Sequence, residues 1–233
     1  MSETQAADQT FADSWIAEIY KRLLHLWWLK ASGSTAFMLI FFYSYFALLR
    51  APISPVVTMP TTWVDDWIVF TPSWFYTYAS LWLYTVLVPA LQPSALRFFG
   101  YGCGIGLLCL SGLVCFLFFP STIPYASMDW FHDPALSILH RVDLAGNACP
   151  SLHVATALFS AICLHRLFFT IGCPRWVSHL SWLWCLLIVY STMAIKQHVM
   201  WDVVFGAVLA LVWGGIYIKF EDKLIASENA KQN

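Results

Sequence analysis

Two short stretches of this chain hold residue types that can bind an oxyanion and move a proton and an electron pair on it. The first is Pro150-Ser151-Leu152-His153, and the second runs from Ser191 through His198 to Asp202. Proline suits the first turn of a helix, because the N–H it lacks has no partner there anyway. The free amides of such a turn, backed by the positive end of the helix dipole, cradle an anion such as phosphate. Ser151 can add a hydroxyl donor, and His153 can protonate a departing oxygen as a general acid. His198 and Asp202 are spaced i, i+4 and so share a helix face. A carboxylate there holds one ring nitrogen as N–H and leaves the other as a lone-pair nucleophile. Each motif alone has an ordinary structural reading; both opening helices on one side of a molecule is what points to a site.

The elements that must position these residues are set by lipid. Of the 233 residues 60% are hydrophobic, 18% aromatic and only 11% charged, where a soluble domain carries roughly a quarter charged residues. Apolar, charge-free stretches long enough to cross a bilayer (about 20 residues) fall at 32–49, 72–92, 98–119, 150–170, 177–196 and 199–219. The expected fold is all-α, an integral membrane six-helix bundle. In such an up-and-down bundle the fourth and sixth spans begin on the same face, which brings His153 and His198 to one end. An Asp just inside a span is costly unless it has a partner such as His198.

Nine of the twelve Lys and Arg residues fall on one side of this arrangement, leaving Arg50, Arg141 and Lys196 on the other. The positive-inside rule then puts both termini in the cytoplasm. The loops at 50–71 and 121–149 and the turn near 197 face outward, across an inner or plasma membrane of bacterial type. From Asp13 to Lys30, Trp15, Ile16, Ile19, Leu23, Leu26 and Trp27 recur at helical spacing, while Glu18, Lys21, Arg22 and His25 fall largely elsewhere. This reads as an interfacial amphipathic helix, or equally as a soluble extension of the first span. The expected organisation is an N-terminal cytoplasmic segment at 1–31, a six-span domain at 32–219, and a loose polar tail at 220–233. A net charge of −1 argues against a nucleic-acid partner. The seven cysteines have no metal-site spacing and read as small packing residues.

Asn147-Ala-Cys-Pro-Ser-Leu-His153 and Ser191-Thr-Met-Ala-Ile-Lys-Gln-His198-Val-Met-Trp-Asp202 resemble the second and third signatures of the type 2 phosphatidic acid phosphatase superfamily. The resemblance implies that His198 attacks phosphorus to form a phosphohistidine, oriented by Asp202, and that His153 is the acid for the leaving group. It places Ser151, with Ser191, among the phosphate-binding groups. The family's first signature, Lys-x6-Arg-Pro, is absent, since Arg141 is the one cation between Phe98 and Cys149, and Thr192 stands where the third signature has Arg. Phosphoryl transfer needs fixed positive charge near its oxygens. Lys196 and Arg141 are the nearest candidates to supply it.

The expected substrate is a lipid phosphate or lipid pyrophosphate in the bilayer, cleaved without metal or other cofactor. A second reading, closer to inositol phosphorylceramide synthase, passes the phosphoryl head group to an alcohol. A third keeps the fold as a non-catalytic lipid-binding or transport protein. The sequence carries no reading of oligomeric state.

Overall fold

The charge-free stretches become helices because lipid leaves a backbone no other partners than its own. The computed structural model describes residues 15–125 and 146–230. In chain order the elements are α1 (15–24), α2 (Trp27–Arg50), β1 (Val57–Thr58), α3 (Trp63–Trp67), a 3-10 turn (Pro72–Trp74), α4 (Phe75–Ala79) and α5 (Leu81–Ala90). Then follow α6 (Ala95–Phe118), β2 (Ser121–Thr122), α7 (Leu152–Ile171), α8 (Arg175–Ala194) and α9 (Met200–Ala230). The chain is a multi-pass membrane protein, and 77% of its described residues are helical. Among the described residues five helices are long and apolar enough to cross a membrane: α2, α6, α7, α8 and α9.

Helix α7 is the central post. It packs against α5, α6, α8 and α9, and 61% of its most apolar stretch is buried, against 6% for α2 at the periphery. Small residues set the closest approaches, as is usual between membrane helices. A Cβ on Gly112 of α6 would lie 2.4 Å from the Leu152 side chain, and one on Gly206 of α9 would lie 2.5 Å from the main-chain oxygen of Ser151.

The structure departs from the sequence expectation in four places. The first crossing begins at Trp27 rather than 32. Lys30 sits inside it, its ammonium donating to the carbonyls of Arg22 (2.6 Å) and Ala90 (2.8 Å), so this charge ties helix ends together. The N-terminal helix stops at 24 before a left-handed Leu26. It turns Arg22 inward, paired with Glu18 at 2.7 Å, while Ile16, Tyr20, Leu23 and Leu24 are exposed. The 72–92 stretch is a 3-10 turn and two helices broken at Ser80 rather than one rod. The polar tail is helical to Ala230, because Arg166 pairs with Glu221 (2.8 Å) and Asp222, and Arg97 pairs with Glu228 (2.9 Å).

At the other end of the bundle the loops gather. β1 and β2 pair in parallel, Val57 with Ser121 and Thr58 with Thr122. The Ser121 carbonyl accepts from the amides of Gly146 (3.1 Å) and Ala148 (3.0 Å), and its hydroxyl oxygen accepts from the Cys149 amide at 2.9 Å. Thr71 N–H donates to the Ala194 carbonyl at 2.9 Å. The segments around 57, 71, 121 and 147 thus share one end with the α8–α9 turn and the start of α7.

Candidate active site

The start of α7 is built by Ser151. It is the N-cap, extended in backbone, and its hydroxyl oxygen accepts from Val154 N–H at 3.2 Å. Ala155 N–H closes the first helical bond onto the Ser151 carbonyl. By the geometry of any helix start, the amides of Leu152 and His153 have no intrahelical acceptor. Free amides at a helix start can bind an anion.

His153 lies two residues after Ser151, buried, with its ring stacked on Tyr78 at a centroid distance of 3.8 Å and an interplanar angle of 8°. Trp82 meets it edge-on at 6.4 Å. Its Nε2 is 3.0 Å from the Tyr78 carbonyl. A carbonyl only accepts, so Nε2 carries the proton and donates, and Nδ1 is the nitrogen left to exchange a proton with a ligand. The break between α4 and α5 at Ser80 falls beside this carbonyl.

The start of α9 is built by Asp202. Its Oδ2 accepts from the Val199 amide at 3.0 Å, the return half of a capping box, and lies 3.4 Å from His198 Nδ1. An ionised carboxylate only accepts, so Nδ1 is N–H and Nε2 of His198 keeps the lone pair. Asp202 is fully buried, and its Oδ1 has no partner among the described residues. A carboxylate in the first turn also meets the positive end of the α9 dipole.

Backbone joins the two helix starts. Ser151 N–H donates to the Asp202 carbonyl at 3.0 Å, and Gly206 lets α9 lie against the Ser151 carbonyl. The pair of motifs therefore shares one end of the bundle, with helix-end amides on α7 and the lone-pair histidine beside α9.

The turn between α8 and α9 is folded by the Thr192 carbonyl, which accepts from the amides of both Gln197 (3.0 Å) and His198 (3.2 Å). Lys196 takes a left-handed conformation in it, φ 57°. Its ammonium does not swing freely: it donates to the main-chain carbonyl of Asp65 at 2.6 Å and lies 5.1 Å from the centre of the Tyr125 ring. Burial lowers the Lys196 pKa from the ordinary lysine value, and Asp65 and Asp66 oppose that shift. Ser191 is fully buried and its hydroxyl donates to Ile188 in its own helix at 2.6 Å. Arg141, named from the sequence as a candidate cation, lies outside the described residues.

Sequence reasoning missed Asp65. It is buried, with Oδ2 accepting from the Thr62 amide (2.7 Å) and hydroxyl (2.9 Å), and Oδ1 accepting from Met200 N–H at 2.8 Å. The Thr62-x-x-Asp65 spacing is a readable capping box, but its bond to the start of α9 is not local. Among the described residues no three His, Cys, Asp or Glu side chains converge as metal ligands would.

A family model described as the PAP2 superfamily matches residues 116–226, from the end of α6 through most of α9. No curated protein and no solved structure matches the chain.

Proposed function

We propose, from the match of a PAP2 superfamily model to residues 116–226, that this protein is a membrane-embedded lipid-phosphate phosphatase working through a phosphohistidine. The observation that carries the reading is the joint between Asp202, His198 and Ser151. One carboxylate holds His198 Nδ1 while the carbonyl of the same residue holds the amide of the Ser151 cap. That pairing ties the residue that holds the His198 ring to the helix start read here as the anion cradle.

In the proposed reaction a lipid phosphate or pyrophosphate enters with its phosphoryl oxygens on the amides of Leu152 and His153 and the Ser151 hydroxyl. His198 Nε2 forms a bond to phosphorus as the bond to the lipid oxygen breaks. The departing oxygen takes a proton from His153 in its imidazolium form. Water then attacks phosphorus, breaks the P–N bond and gives its proton to His153, which restores both rings. Lys196 supplies positive charge beside the transferring group, in the role the superfamily gives to residues this chain lacks. Ser191 supports the turn and Arg141 contacts the head group.

The 72–92 stretch is read as a sixth crossing interrupted at Ser80, with both termini cytoplasmic by the placement of Lys and Arg. The site then faces outward, periplasmic or extracellular. The test is incubation of purified protein with a panel of lipid phosphates and pyrophosphates, with and without an alcohol, scoring released phosphate against newly phosphorylated alcohol. Phosphate release that His198→Ala abolishes supports the reading. Phosphoryl transfer to the alcohol in preference to water replaces it with a transferase, and absence of both overturns it.

A further inference from the structure

Asp65 sits in α3, a five-residue helix far from either signature in sequence, yet it holds both flanks of His198. Two residues before His198, the Lys196 ammonium is bound by the Asp65 carbonyl at 2.6 Å; two residues after it, the Met200 amide is bound by the Asp65 carboxylate at 2.8 Å. Capping α3 through Thr62 needs only one of its carboxylate oxygens. The other reaches across the end of the bundle to the first amide of α9, a group that any helix start leaves without an intrahelical partner. Asp65 is 2% exposed, so these bonds form away from competing water.

We propose that Asp65 is a positioning residue for phosphoryl transfer, fixing the ammonium of Lys196 and the start of α9 relative to one another and so the line of attack of His198. The proposal rests on the reading of His198 as the nucleophile. Its acidic side chain does not touch substrate; it works through the segment 196–200. Misplacement of a reacting group by about 1 Å can lower a rate by roughly 10²-fold, and loosening either flank of His198 is a change of that kind.

The test uses the full chain in detergent, a lipid phosphate that the wild type hydrolyses, and orthovanadate as a mimic of the transferring phosphoryl group. Asp65→Asn leaves one acceptor oxygen where the Thr62 and Met200 donors now use two, and Met200→Pro removes the Met200 donor, since proline is accommodated at a first helical position. Each is expected to lower kcat about 10²-fold with KM within about threefold. The double variant should be no slower than the worse single one, as for groups acting through a shared contact. Asp66→Asn, the same charge change on the exposed neighbour, should stay within about threefold of wild type.

Single variants that keep wild-type kcat, or effects that multiply independently, overturn the role of Asp65. Asp65→Ala is a further variant; if it fails to fold, the asparagine and proline variants decide. If the wild type hydrolyses no lipid phosphate, the hydrolase reading fails on its own, and vanadate still tests Asp65. Binding weakened about tenfold or more in Asp65→Asn supports positioning, and equal binding overturns it. A wild type that neither hydrolyses a lipid phosphate nor binds vanadate overturns both.

Discussion

The amide of Ser151 donates to the carbonyl of Asp202 at 3.0 Å, so the two helix starts that carry the motifs are joined main chain to main chain. Side chains at either position can be replaced without cutting this joint, which makes the chemistry of each separable from the architecture by mutation.

Asp202→Asn keeps an oxygen able to accept from Val199 but no longer a charge to hold the His198 ring. Turnover should fall by about 10²–10⁴-fold, the usual range for a lost acid–base partner, with stability close to wild type. Asp202→Ala should be equally inactive and also lose the cap, at about 1 kcal/mol. Lipid-phosphate hydrolysis and thermal unfolding in detergent check the two orderings together. An asparagine variant retaining more than a tenth of wild-type turnover would contradict the assigned role.

In the proposed reaction His153 is needed as an acid only for substrates whose leaving oxygen needs a proton. His153→Asn should slow hydrolysis of an alkyl phosphate by about 10²–10⁴-fold and of a nitrophenyl phosphate, whose leaving group departs as an anion, far less. Equal losses on both substrates would mean that His153 shapes the site rather than protonating the leaving group.

Lys196 combines a cation with left-handed backbone. Lys196→Gly removes the charge and relieves a conformation that costs an L-residue roughly 1–2 kcal/mol. Turnover should drop about 10²–10³-fold while the melting temperature stays above that of Lys196→Ala. The pH dependences should run in opposite directions. With its folded pKa lowered from 10.5 by burial, Lys196 binds its proton more weakly in the folded chain than in the unfolded one. Between the lowered value and 10.5 its contribution to stability therefore rises with pH. Activity that needs the ammonium falls over the same window. Alkaline pH–rate and pH–melting profiles of wild type and Lys196→Gly isolate the two effects.

Hydrolysis should survive extensive chelation and gain nothing from added divalent ions, because the assigned groups are a histidine nucleophile, its carboxylate and helix-end amides. Activity that EDTA abolishes and a single metal restores would require a different mechanism.

The parts of this structure readable from sequence are those whose causes are local. Long charge-free stretches announce helices α2, α6, α7, α8 and α9, since lipid imposes one backbone solution on them. The spacing of His198 and Asp202 and the Pro150-Ser151 start of α7 are local too, and the capped helix starts follow. What was not readable depends on partners distant in the chain. No glycine or proline marks Ser80 as a break; the helix parts beside a carbonyl bound by His153, 75 positions on. The place of Lys30 was not readable because its acceptors on Arg22 and Ala90 exist only once three helices meet. Glu221 and Glu228 made the tail look loose until Arg166 and Arg97 were in place. Asp65 belongs to the same class, with one readable partner at Thr62 and one unreadable at Met200.

Gly206 gives this site an unusual kind of fragility. A cation can be replaced from another position, because a charge can reach its target from several backbone positions on a flexible stem. No relocation of that sort exists for a side chain that must be missing. Any Cβ at 206 would press within 2.5 Å of the Ser151 main-chain oxygen, and neither helix start can yield without dragging its histidine along. Sequence drift around the site is therefore open for a charge on a flexible stem and closed for the hydrogen atom that keeps two helices in register.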